Sequence, residues 1–297
     1  MLRKLRQRTR TGFYSARGDA ELLRYIAGFH YLQVKHLTIL TGRSLRTLQR
    51  RLLQLHRQGR LLDRLTLPAD RDWLLANPNS DGFVYRLAPK GADRAKRFGF
   101  IDDGFNYNSE KRTSTLTHDL GLTVFHLLLE LASRQGCWRL ASWEQRRAEL
   151  LDWALDAHGQ RLPVNPDALF GLVNPTLPGE AIVRFYFLEF ERVRQHNYAD
   201  GVSALIRKCE AFEQYARQGR HQQTWGFPDF RLLVIMPTPA RVENLLLKLE
   251  QSGLALRRFW LTDLGRLSLE DPTTISGKIF RTPRDYRTGA LYSLAGE

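Results

Sequence analysis

Residues 183–191 read Val-Arg-Phe-Tyr-Phe-Leu-Glu-Phe-Glu. Aromatic and β-branched side chains at this density favour an extended backbone, whose period of two sends Val183, Phe185, Phe187, Glu189 and Glu191 to one face. Any fold of this chain must therefore cover an apolar strand face from whose end two carboxylates project. The preceding run, residues 162–173, also has strand propensity. Asn174-Pro175-Thr176-Leu177-Pro178-Gly179 supplies turn residues between the two, so residues 162–173 and 181–192 are expected to pair as an antiparallel hairpin.

Helical and strand-like segments surround this hairpin. Residues 115–134 place Leu116, Leu120, Val124, Leu127, Leu128 and Leu131 at helical spacing, with His118-Asp119 near the start. Residues 135–161 read as irregular. After the hairpin come a helix over 199–218, a strand over 232–236, a helix over 239–251 and a strand over 258–261. That order predicts an α/β layer fold whose hairpin is flanked by helices.

The N-terminal third is patterned differently. Leu22, Leu23, Ile26 and Phe29 predict a helix over 20–29, and Val34, Leu37 and Ile39 a second over 33–40 that stops at Gly42. Ser44 is placed to cap a third helix whose stripe Leu45, Leu48, Leu52 and Leu55 should face the core. Arg46, Gln49, Arg50 and Gln54 fall on its opposite face, with Arg43 just before it, and such long donors can reach base edges or phosphates. Gly59 should end this helix. Two short strands, 60–67 and 84–87, are expected around a polar tip (68–82), and another helix opens at Ala88-Pro89. The order over residues 19–98 resembles the winged-helix domains of bacterial transcription and plasmid proteins, some of which bind protein instead of DNA.

Charge weighs between those partners. The chain carries a net +14 with a pI near 10.2. Residues 1–60 hold fourteen Lys and Arg, including an arm of Arg3, Lys4, Arg6, Arg8 and Arg10, against only Asp19 and Glu21. A cationic excess crowded at one end suits a polyanion, because each phosphate neutralised releases a counterion. Double-stranded DNA is the expected partner, with Arg43, Arg46, Gln49, Arg50 and Gln54 as its contacts; other replication or mobilisation proteins and a homodimer remain open. Cys137 and Cys209 lack disulfide or zinc-site spacing, and no apolar run reaches membrane-spanning length, so a cytoplasmic protein is expected. Phosphate-cradling Gly-rich loops, clustered histidines and Gly-x-Ser-x-Gly are all missing from the sequence. Tyr198 and Tyr215 are conceivable nucleophiles, although a tyrosine on an amphipathic helix more often packs.

The acidic residues carry the chemical expectation. Asp167, after Pro166, could join Glu189 and Glu191 at one strand end, and three such carboxylates would suit a hard cation, Mg²⁺ or Mn²⁺. A metal-dependent nuclease is the natural reading. The alternative leaves Glu189 and Glu191 as exposed partners of Arg184, Arg192 or Arg194, and Asp167 as a turn residue.

Pro166-Asp167, then Phe187-Leu188-Glu189-Phe190-Glu191-Arg192, then a helix bearing Lys208 and Tyr215, resemble the replication-relaxation family of plasmid and integrative-element proteins. His118-Asp119-Leu120 and Ile279-Phe280-Arg281-Thr282-Pro283 add to the likeness. The resemblance implies an α+β protein: a winged helix-turn-helix followed by a restriction-endonuclease-like, PD-(D/E)xK α/β domain, related to MobC-type relaxases. The expected organisation is a basic arm (1–18), a winged helix (19–98), a linker (99–114) and a nuclease-like domain (115–297). Asp167, Glu189, Glu191 and Lys208 would then be catalytic. One departure stands out, for the nuclease pattern wants a lysine where Glu191 is. Lys208 could replace it, two glutamates could bind metal differently, or the site could be dead. A plasmid mobilisation nickase or relaxase, an inactive DNA-binding factor and a transcriptional regulator are the functions this leaves.

Overall fold

The computed structural model describes residue 16 and residues 18–67, 82–102, 113–136, 138–145, 147–173, 183–191, 198–254 and 256–294. The basic arm, the strand tip, Cys137 and the expected hairpin turn lie outside the described residues. The protein is α+β, and it divides into two compact units, Met1–Thr123 and Val124–Glu297.

In the N-terminal unit, α1 (Asp19–Phe29) buries Leu22, Leu23, Ile26 and Phe29. α2 (Val34–Thr41) ends at Gly42, whose left-handed φ of 68° turns its N–H back onto the Thr38 carbonyl. α3 (Leu45–Arg57) begins at Ser44, whose hydroxyl accepts from the Thr47 N–H at 3.4 Å. Leu48, Leu52 and Leu55 are buried as expected, but Leu45 is 42% exposed. It stands at the first residue of the helix, one turn before the core-facing positions begin. On α2 likewise Ile39 is exposed while Leu40 is buried.

β1 (Leu62–Thr66) pairs antiparallel with β2 (Phe83–Leu87), Leu62 opposite Leu87. The first strand starts two residues later than expected because Arg60 takes a left-handed φ of 50° after α3. Leu32 and Tyr85 exchange both backbone hydrogen bonds (3.0 and 2.8 Å), which adds a short rung beside β2. α4 (Pro89–Arg97) packs Ala92 and Ala95 inward. The division between units falls within α5 (Thr113–Arg134), at Thr123, whose hydroxyl donates to the Phe29 carbonyl at 2.9 Å.

The C-terminal unit departs further from expectation. The run 162–173 is two strands: β5 (Arg161–Val164) pairs with β4 (Asp152–Leu155) in a small separate sheet, and β6 (Ala168–Val173) enters the main sheet after a break at Asn165–Asp167. Residues 135–161 are also not irregular, since they hold β3 (Arg139–Glu144), one-turn α6 (Arg147–Leu150) and β4. β3 is an edge strand none of whose side chains is fully buried, so it carries little of the apolar alternation that marks a strand. β6 and β7 (Val183–Phe190) pair antiparallel as expected, Val173 opposite Val183. After α7 (Tyr198–Arg217) and the short α8 (Arg220–Trp225), β8 (Phe230–Met236) lies parallel to β7. α9 (Pro239–Gln251) then leads to β9 (Phe259–Asp263), parallel to β8. The main sheet runs β3-β6-β7-β8-β9.

Helices cover both faces of this sheet. On one, Phe187 packs against Phe212, Tyr215, Phe227 and Phe230, in a core continued by Leu205 of α7 and Leu245 and Leu249 of α9. On the other, Tyr186 stacks on Phe170, Phe170 on Trp143, and Trp143 on His126 of α5, the last at 4.2 Å. The 261–281 backbone bridge and the packing of Phe280 on Trp260 fasten the C-terminal segment beside β9.

Candidate functional site

β7 ends by presenting Glu189 on the face that Phe187 shares with α7. Glu189 is 4% exposed, so the reading of it as a solvated surface charge does not hold. Its partner is Lys208 of α7, whose Nζ donates to Glu189 Oε2. A carboxylate at the end of a strand face that also carries Val183, Phe185 and Phe187 is tolerable because a cation reaches it from the covering helix. Lys208 keeps a partly exposed side chain, 30% accessible, so the pair sits where the core meets solvent.

Asp167, 7% exposed, immediately precedes β6. Its N–H donates to the Leu188 carbonyl at 2.9 Å, and its Oδ2 accepts from the Phe190 N–H at 2.9 Å. Asp167 is thus fastened to the residues on either side of Glu189, and its role as a local turn residue gives way to a cross-strand one. Glu191 lies one residue past β7, half-buried, with its N–H donating to the Ile235 carbonyl at 2.9 Å. Among the described residues no group of three or more His, Cys, Asp or Glu is placed to hold a metal ion together. The residues brought into one neighbourhood are Asp167, Glu189 and Lys208.

Two nearby groups are closed to chemistry. Cys209 is buried, and its thiol is pushed up by burial and then by the Glu189 charge. Tyr215 is fully buried and donates to Asp152 Oδ2 at 2.8 Å; burial, then this carboxylate, pushes its phenol up to about 12. Burial alone would raise the Asp152 carboxyl too. Hydrogen bonds from Thr224, Tyr215, the Trp153 N–H and Arg220 outweigh that and hold it below the ordinary carboxylate value. The Tyr198 side chain lies outside the described residues.

The second candidate surface is on α3. Arg46 and Arg50 are exposed and Gln49 is half-buried. Arg43 is in an ion pair with Glu21 of α1, and Gln54 accepts from Arg51 Nη1 at 2.8 Å. Arg51 itself is bound by Asp19, Nε to Oδ1 at 2.7 Å, with Asp19 only 1% exposed. This pair, which joins α3 to the start of α1, was not foreseen from sequence. Asp19 and Glu21 being the only acids among fourteen cations was the signal that could have found it.

A family model of replication-relaxation proteins matches residues 23–229 of the 297. No curated protein and no solved structure matches the chain. The matched stretch runs from α1 to the start of β8 and takes in Asp167, Glu189 and Lys208, whereas the segment Ile279 to Pro283 lies beyond it. With well over half its length matched, from α1 through the strand that bears Glu189, the chain belongs to the replication-relaxation family.

Proposed function

We propose that this protein binds duplex DNA through a winged helix formed by α1–α4 with β1 and β2, and that its restriction-endonuclease-like C-terminal unit nicks or relaxes that DNA with a divalent cation. Membership of the replication-relaxation family suggests a role in plasmid or mobile-element replication. The exposed guanidinium groups of Arg46 and Arg50, on a helix whose other side buries three leucines, support α3 as the DNA-facing element.

One observation carries the catalytic reading: the Glu189–Lys208 pair, with Asp167 fastened to both neighbours of Glu189. Two acids and a lysine are the side-chain set of a PD-(D/E)xK nuclease. Here the lysine comes from the covering helix instead of the position held by Glu191. Mg²⁺ commonly takes one or two protein carboxylates, with water and substrate phosphate completing its shell, so Asp167 and Glu189 fit as its holders. When bound, the cation would lower the pKa of an attacking water and stabilise charge on the leaving oxygen. Lys208 would orient that water or offset phosphate charge from the solvent-facing side of the pair.

Supercoiled plasmid incubated with Mg²⁺ or Mn²⁺ tests this reading. Open-circle product that disappears with chelator, and in both Glu189→Ala and Lys208→Ala, is the expected result. A second reading, an inactive DNA-binding replication or mobilisation factor, is favoured by one observation: Lys208 already neutralises Glu189, and no third ligand joins the two acids among the described residues. Bound plasmid that the wild type leaves supercoiled under every metal condition would establish that alternative.

A further inference from the structure

Residues four apart on a helix share one side, so α3 turns two rows outward. The first is Leu45, Gln49 and Leu53, and the second, beside it, is cationic: Arg46 and Arg50, continued three turns on from Arg46 by Arg57. All three arginines are exposed, Leu45 is 42% exposed, and Gln49 and Leu53 are half-buried. Leu48, Leu52 and Leu55 already supply this helix's contribution to the core, so Leu45 is not needed there.

The first turn of α3 is also rigidly set. Gly42 ends α2 in a left-handed conformation, Ser44 accepts the Thr47 N–H, and the Ser44 and Thr47 hydroxyls are 2.9 Å apart. An apolar side chain is therefore held out to solvent at the leading end of a helix, with an amide one turn behind it and a row of guanidinium groups alongside. A polyanion with apolar features inside it complements this face better than an apolar protein surface would, because the arginines would be desolvated against the latter without partners.

Resting on the DNA-binding reading above, we infer that α3 reads A·T base pairs in the major groove, Leu45 through the thymine methyl and Gln49 through the adenine edge, while Arg46, Arg50 and Arg57 hold flanking phosphates. Thymine is the base that offers a methyl group in that groove, and a Gln amide matches the N6–N7 edge of adenine. The two residues are separated by about 6 Å along the helix. Their contacts thus fall on base pairs close together in one half-site.

Selection of bound duplexes from a randomised library with the full-length protein tests this. Wild type should enrich A·T pairs at two nearby positions; Leu45→Ala should relax the preference at one and Gln49→Ala at the other. Leu45 is a surface residue, so its variant should fold normally. Replacing the thymine at the Leu45 position by uracil should weaken wild-type binding about fourfold, the worth of one buried methyl, and leave Leu45→Ala unaffected. A selected site that is indifferent to both substitutions and to uracil would overturn the inference while leaving duplex binding intact. Failure to retain any duplex would overturn the DNA-binding reading and this inference with it.

Discussion

Lys208 on α7 closes an ion pair with Glu189 on β7, 19 residues earlier in the chain. Replacing Lys208 by Ala would remove that ammonium group from beside a carboxylate that is 4% exposed. Breaking a wholly buried pair costs more, but with the lysine partly solvated a loss of about 2 kcal/mol is expected. Urea unfolding of Lys208→Ala, Glu189→Gln and the double variant measures it as a coupling energy. If the two single effects simply add, the pair does not couple strand to helix.

Adjacent arginines on α3 should behave oppositely. Arg51 binds the buried Asp19, so Arg51→Ala is expected to destabilise the N-terminal unit by about 2–3 kcal/mol, read as a lower thermal midpoint. Asp19→Asn should do the same, and the double variant should lose little more than either single change. A midpoint that Arg51→Ala leaves unchanged would show the pair to be incidental.

Arg46 and Arg50, in contrast, are exposed. Their joint replacement by Ala should leave the free energy of unfolding within about 0.5 kcal/mol of wild type. Duplex affinity should fall, and the slope of log affinity against log salt should flatten by about 0.9 for each phosphate contact removed. Unchanged affinity and slope would remove α3 from the proposed DNA interface.

What could be read from sequence follows from how local its cause is. The bounds of α9 and the caps of α2 and α3 are set by neighbouring residues, Pro239, Gly42 and Ser44, and were legible. So was the alternation that put Glu189 on the face of Phe187. Leu45 was misplaced because periodicity gives a direction around a helix but not how far along it the core extends. β3 and β4 were missed because an edge strand and a small two-stranded sheet show little alternation. The partners of Glu189 and Arg51 come from residues 19 and 32 positions away, and nothing local distinguishes Arg51 from Arg50 or Lys208 from any other helix lysine.

Gly91 permits α4 to lie against the residue before β1. The Leu61 carbonyl accepts the Ala88 N–H at 2.9 Å, and a Cβ on Gly91 would meet that same oxygen at 1.9 Å. Backbone on both sides leaves no flexible atom to yield, so Gly91→Ala is expected to cost about 2–3 kcal/mol despite alanine's better helix propensity. Thermal unfolding checks the sign. A more stable Gly91→Ala would mean that α4 can shift outward freely.

His36 makes the N-terminal unit sensitive to acid. Its ring is fully buried, Nδ1 accepts the Gln33 N–H at 3.3 Å, and burial, then the charge of Lys35, pushes its pKa down to about 3. The folded value lies below the unfolded one of about 6.5, so between these limits the unfolded chain takes up the proton more readily. The stability tied to neutral His36 is present in full above about pH 6.5 and falls by up to about 1.4 kcal/mol per unit as pH drops toward 3. Protonated Nδ1 would also turn from acceptor to donor and lose the Gln33 N–H that starts α2. Asn at this position offers an acceptor without a titration, so the difference in stability between wild type and His36→Asn should shift in favour of the variant as pH is lowered from about 6.5 to about 4.5. Denaturant midpoints that run parallel across that range would show that His36 takes up its proton in the folded state as easily as in the unfolded chain.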